Sequence, residues 1–140
     1  MRVSKADQAF VEAFEANRVP VSEFNHRGHL RLAYVYNAQM DAPAATAAMR
    51  GALLDYIAAN GVPPAKFHET MTAAWSAAVR YIMGQVGPVA DFDAFVAADA
   101  RLLDAQVMFT HYRRDTLLSD AARTGLVPPD LEPIPPAALL

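Results

Sequence analysis

Four histidines, His26, His29, His68 and His111, are the residues of this chain best suited to chemistry near neutral pH. Imidazole is the side chain whose ordinary pKa lies closest to neutrality, and in its neutral form it ligates metals and accepts protons. Two of the four stand three apart in His26-Arg27-Gly28-His29-Leu30, and a third lies in Phe67-His68-Glu69-Thr70. The chain has no cysteine, so a thiolate metal site and disulfides are both excluded. A mononuclear site of two or three histidines remains, with Glu69 as a possible carboxylate ligand. Nitrogen and oxygen donors of that kind suit one divalent ion: zinc, iron, nickel or copper. Without a metal, the same histidines offer acid–base catalysis by neutral imidazole.

Several familiar sites are missing. No His-Glu-x-x-His zincin sequence occurs. Glu23-Phe24-Asn25-His26 matches the Glu-x-x-His unit of a di-iron bundle, but the second unit that such a site needs is absent. The chain also lacks a Gly-x-Gly-x-x-Gly loop, a Walker A loop and a Gly-x-Ser-x-Gly elbow, and Ser119 has no histidine at a telling spacing.

Other residues supply a pocket. Trp75 follows His68 by seven residues, about two helical turns on the same face, and predicts an apolar wall below it. Tyr36 shares a helical stripe with His26, His29, Leu30, Ala33 and Asn37. Thr110-His111-Tyr112-Arg113-Arg114 is the one dense basic and aromatic cluster. Arg113 there, or Arg31 beside the histidine pair, is suited to hold a carboxylate or phosphate. The bland alternatives are hydrogen-bonded core histidines, a core tryptophan and solvated arginines. Gly28 within a helix costs about 1 kcal/mol relative to alanine, which predicts a close approach beside the histidines or an irregular first turn.

These groups need helices to position them. Ser4 with Asp7 marks a helix start, Phe10, Val11 and Phe14 continue it, and Pro20 closes the segment. Ser22 or Asn25 caps a second helix to about Met40. A third runs from near Pro43 to Asn60-Gly61, and a fourth from Pro64 to about Val86, before Gly87-Pro88. Asp91 caps a short helix with Phe92, Phe95 and Val96. Further helices are predicted from about Ala100 to Tyr112 and from about Asp115 to Thr124-Gly125. The prolines from Pro128 to Pro136 forbid a helix, so residues 127–140 form an extended tail packing on the same domain. No strand alternation or internal repeat is visible. The expectation is an all-α single-domain bundle of about five to seven helices, spanning 1–126, with the histidines near helix N-termini, where the macrodipole favours neutral imidazole.

At 140 residues, 54% hydrophobic and 19% charged, the chain is long and apolar enough for one real core. A net charge of −3 disfavours general nucleic-acid binding. No apolar run has the length of a membrane span, and Met1-Arg2-Val3-Ser4-Lys5-Ala6-Asp7 lacks a signal-like apolar stretch, so the expected location is cytoplasmic. A homodimer stays open.

Three stretches together resemble a group of small bacterial helical proteins to which no activity is attached: 24–33 with His-x-x-His-Leu, 66–75 with Phe-His-Glu-Thr, and Tyr112 through Arg123 followed by Val127-Pro128-Pro129-Asp130-Leu131. The resemblance implies a coherent domain over about residues 24–135. The group's expected serine after the tyrosine is replaced here by Arg113.

The expectation for function is therefore a small enzyme with a buried site of His26, His29 and His68. Trp75, Tyr36 and Tyr112 would line it, and Arg31 or Arg113 would hold a small anionic molecule. The alternative is a non-catalytic ligand-binding or interaction module.

Overall fold

A computed structural model describes residues 3–136 of the chain, and those residues are all-helical with no strand. The helices are α1 (Lys5–Glu15), α2 (His26–Gln39), α3 (Ala42–Ala59), α4 (Glu69–Val86), α5 (Phe92–Ala98), α6 (Arg114–Leu117) and α7 (Asp120–Thr124). Short 3-10 turns at Val21–Glu23, Pro64–Lys66, Ala100–Leu103 and Ala105–Thr110 join them. None of the helices among the described residues is long and apolar enough to cross a membrane.

Helices α2, α3 and α4 pack on one another as the centre of the bundle. Helix α2 is the innermost. Residues Leu32 to Asn37 are buried without a break, so this helix has no solvent face over nearly two turns. The single predicted stripe through Leu30, Ala33 and Tyr36 is therefore too narrow, because α1, α3, α4 and α5 surround the helix. In α3, burial follows Ala45, Met49, Leu53 and Tyr56, the spacing of one helical face. Helix α1 packs on α2 and α3, and α7 packs on α4.

Side chains fix the helix starts. Ser4, Asn25, Asp41, Asp91 and Ser119 each accept a backbone N–H from the first turn of α1, α2, α3, α5 and α7. Asn25, not Ser22, caps α2. Helix α3 stops where Asn60-Gly61 predicts, with Gly61 in the left-handed region at φ 65°.

Three boundaries differ from the sequence reading. Helix α1 ends at Glu15, short of Pro20, because Asn17 turns the chain at φ 59°. Helix α4 begins at Glu69, not at Pro64, since Pro64 opens only a 3-10 turn. The two helices predicted beyond Ala100 are each broken. Asp104 binds the backbone N–H of Gln106 and Ser119 that of Ala122, and such short polar side chains compete with a continuing helix.

Asp7 ties three helices together. Its side chain is almost fully buried, and it accepts Arg31 Nε on one oxygen at 2.8 Å. On the other oxygen it accepts the Phe92 backbone N–H at 2.9 Å and the Ser4 hydroxyl at 2.8 Å. The Arg31 guanidinium also lies 4.6 Å from the centre of the Phe10 ring. A second buried network links α2 to α4: Asn37 Nδ2 donates to Ser76 at its carbonyl and hydroxyl, and Arg80 donates to Asn37 Oδ1.

The tail is anchored through its backbone. Val127 N donates to Thr70 Oγ1 at 3.0 Å, and Leu131 N donates to the His111 carbonyl at 3.0 Å. Ile134 packs against the core. The predicted tail beyond residue 136 lies outside the described residues.

Replacing Asp7 by alanine leaves Arg31 and the Phe92 N–H without their partner. The expected loss is about 3 kcal/mol of unfolding free energy, the lower end for a broken buried pair because Arg31 is partly solvated. Urea denaturation of the two proteins measures it, and a change below about 1 kcal/mol would place Asp7 among ordinary surface ion pairs.

Candidate functional site

His26 opens α2 and His29 lies one turn further on, while His68 stands at the N-cap of α4. All three line one cavity of about 600 Å³ at the end of the bundle. Trp75 forms part of its wall, with its ring edge-on to His26 at 4.7 Å between centroids. Met49, Leu53, Tyr56 and Ile57 of α3, Phe67 before α4 and Met71 within it supply most of the remaining apolar lining. The volume falls in the range of sites for small organic molecules.

The three imidazoles do different things. His26 Nε2–H donates to the Leu102 carbonyl at 3.0 Å. His68 Nε2–H donates to the Leu117 carbonyl at 2.7 Å, while its Nδ1 accepts the Met71 backbone N–H at 3.0 Å. Since carbonyls only accept, these contacts assign the Nε2–H form to both rings. His68 is thus a helix cap on one side and a tether on the other. The sequence reading placed it in the second turn of its helix. It sits at the cap because the backbone is extended there, and the imidazole replaces the usual serine or aspartate.

His29 is the exception. Its ring lies tilted against Phe24 at 4.3 Å between centroids, and it makes no side-chain hydrogen bond among the described residues. Burial, and secondarily the neighbouring His26, lower its pKa from 6.5 to about 4. His29 is therefore neutral at neutral pH and presents an imidazole to the cavity with donor and acceptor both available. Gly28 explains the placement of Phe24. A Cβ on Gly28 would sit 2.8 Å from the Phe24 ring, so only glycine lets the ring lie against α2 and under His29. Phe14 and Tyr56 complete that aromatic floor.

The remaining residues proposed from sequence lie elsewhere. Glu69 forms an ion pair with Arg50 at 2.7 Å and is not a ligand beside His68. Arg31 is bound to Asp7 and does not line the cavity. Tyr36 donates to Glu15 at 2.9 Å, with burial and that bond raising its pKa. Tyr112 is buried and donates to the Val127 carbonyl at 2.8 Å, lining a separate shallow groove under the tail. Arg113 is exposed and its backbone N–H binds Asp130. Tyr36 was read from helix periodicity and the others from nearness in sequence or residue type, and neither signal says which side of a surrounded helix or turn faces a cavity. His111 clamps the tail by donating Nδ1–H to the Glu132 carbonyl at 2.7 Å.

Lys66, Gln106, Phe109 and Arg114 line the cavity without having been singled out for it. They come from segments whose 3-10 turns and one-turn helix have no strong periodic signature. Arg114 did stand in the basic cluster, one position from the arginine chosen.

The three-histidine set fits a metal ion poorly. Both nitrogens of His68 are engaged, one nitrogen of His26 is engaged, and Glu69 is paired. Among the described residues no group of three or more His, Cys, Asp or Glu side chains is placed to hold one. The described residues thus define an all-α protein with a histidine-bearing apolar cavity. No protein-family model matches the chain, no curated protein is significantly similar to it in sequence, and no solved structure is significantly similar to it in fold.

The depressed pKa of His29 makes a pH prediction. Between about 6.5 and about 4 the unfolded chain carries a proton on this residue that the folded chain does not. Stability from this group is therefore present at neutral pH and is lost as pH falls through that window. His29 alone is expected to remove about 2 kcal/mol between roughly pH 7 and roughly pH 5. Unfolding of wild type and His29→Gln at the two pH values checks this. Equal pH dependence of the two proteins would show that His29 is already solvated in the native state.

Proposed function

We propose that this protein binds a small, largely apolar molecule in the cavity, with one uncharged hydrogen-bonding group of that molecule facing His29. The observation that carries the reading is His29 itself. It is a neutral, partly buried imidazole on an apolar cavity wall without a side-chain hydrogen bond among the described residues. A polar group in apolar surroundings gains most from a partner there, so a ligand hydroxyl, amide or carbonyl would be held by one directional bond. Met49, Leu53, Ile57, Met71 and Trp75 would bury its apolar body.

A second reading is metal-free acid–base catalysis with His29 as the proton acceptor. The same open imidazole favours it. A general base works best with a pKa near the working pH, and about 4 makes His29 a weak base until a ligand changes its surroundings. Binding is therefore the better-supported function. In either reading His26 and His68 act as positioning residues. A bound metal belongs to this proposal only with His68 released from Met71 and Leu117, which would uncap α4.

Calorimetry with 4-ethylphenol and its methyl ether tests the hydrogen bond. The phenol is expected to bind about tenfold more tightly, corresponding to roughly 1.4 kcal/mol for one neutral bond. His29→Leu should erase that difference. Equal affinities in wild type, or a preference that survives the substitution, would remove His29 from the binding site.

A further inference from the structure

We propose that the ligand of this cavity is a carboxylate-headed molecule whose anionic end sits at the cavity mouth with Lys66 and Arg114. The inference rests on reading the cavity as a binding site, and adds the charge class of what enters it.

The lining contains two basic side chains and no aspartate or glutamate. That is unexpected in a chain whose net charge is −3. Five of the described arginines, Arg27, Arg31, Arg50, Arg101 and Arg123, are held by acidic partners, while Arg18, Arg80 and Arg113, like Arg114, have none among the described residues. Lys66 and Arg114 form no ion pair among the described residues. The Arg114 guanidinium lies 5.0 Å from the centre of the Phe109 ring, itself part of the cavity wall. That contact keeps the charge at the cavity without neutralising it.

The fold brings both cations to the lining of the same cavity. Lys66 precedes His68 by two residues, and Arg114 begins the one-turn helix that ends at Leu117. The His68 Nε2–H bond to the Leu117 carbonyl joins these segments. Along α6, Arg114 and Leu117 are separated by only about 4.5 Å of rise. Both cations are exposed, whereas the interior around Trp75 and Met49 is apolar. A charge is costly inside such a wall and well placed at a solvated rim beside opposite charges. The polarity therefore runs from an anionic head at the mouth to an apolar body directed inward, where neutral His29 meets an uncharged group.

The test uses octanoate, octan-1-ol and octylamine with the full-length protein. Trp75, the single tryptophan of the chain, reports binding by its fluorescence. Octanoate should bind at least tenfold more tightly than octan-1-ol, with octylamine weakest. The Lys66→Gln/Arg114→Gln double variant should reduce octanoate to the affinity of the alcohol for the same variant. Melting curves of the variant check that these exposed substitutions preserve the fold. Octan-1-ol binding as tightly as octanoate, or an octanoate preference kept by the double variant, would overturn the assignment while the cavity still binds ligand. Failure of all three compounds to bind would overturn it together with the binding function.

Discussion

Two imidazole-to-carbonyl hydrogen bonds hold the irregular part of this molecule on its regular part. Residues 99–124 form short turns, and short turns leave carbonyls without helical partners. The Leu102 and Leu117 carbonyls close two of those turns, and His26 and His68 meet them with Nε2–H donors from the N-terminal ends of α2 and α4. The cavity lies between the two parts. Removing either donor leaves a carbonyl of the segment that carries Gln106, Phe109 and Arg114 without its partner from α2 or α4.

The division of labour among the histidines follows from this constraint. His26, His68 and His111 each bind a carbonyl far along the chain, at Leu102, Leu117 and Glu132. Each uses a ring that is stiff and amphipathic, able to lie against apolar neighbours while its N–H reaches a backbone oxygen. A serine or asparagine at the same position would be too short to tether a second segment while capping a helix, as His68 does. His29 differs because the Phe24 ring, let in by Gly28, covers one of its faces and the cavity lies beside it.

Stability and site are coupled through α2. Its middle is buried on all sides, and its first turn supplies two of the three cavity histidines. Asp7 holds Arg31 on this helix and the start of α5, while Asn37 and Ser76 fix its register against α4. Buried polar contacts of this kind demand a single packing arrangement, since any slip leaves them unpaired. The positions of His26 and His29 are therefore set by residues with no part in the cavity.

The sequence by itself determined the all-helical class, the caps at Ser4 and Asp91 and the breaks at Asn60-Gly61 and Gly87-Pro88, because capping and glycine conformation are local effects. It also identified the histidines and Trp75 as the residues worth placing. Tertiary structure alone decided what each does. Whether an imidazole is a tether or faces a cavity depends on carbonyls dozens of residues away, and no local spacing encodes them. The same holds for Arg31, which has the right charge near the right histidine but meets Asp7 across a helix interface. Tyr36 and Tyr112 were assigned to the pocket by type and periodicity, yet burial on a surrounded helix and contact with the tail took them elsewhere. Lys66 and Arg114 gained their place only when the chain folded back, because the walls of this cavity are built from segments far apart in sequence.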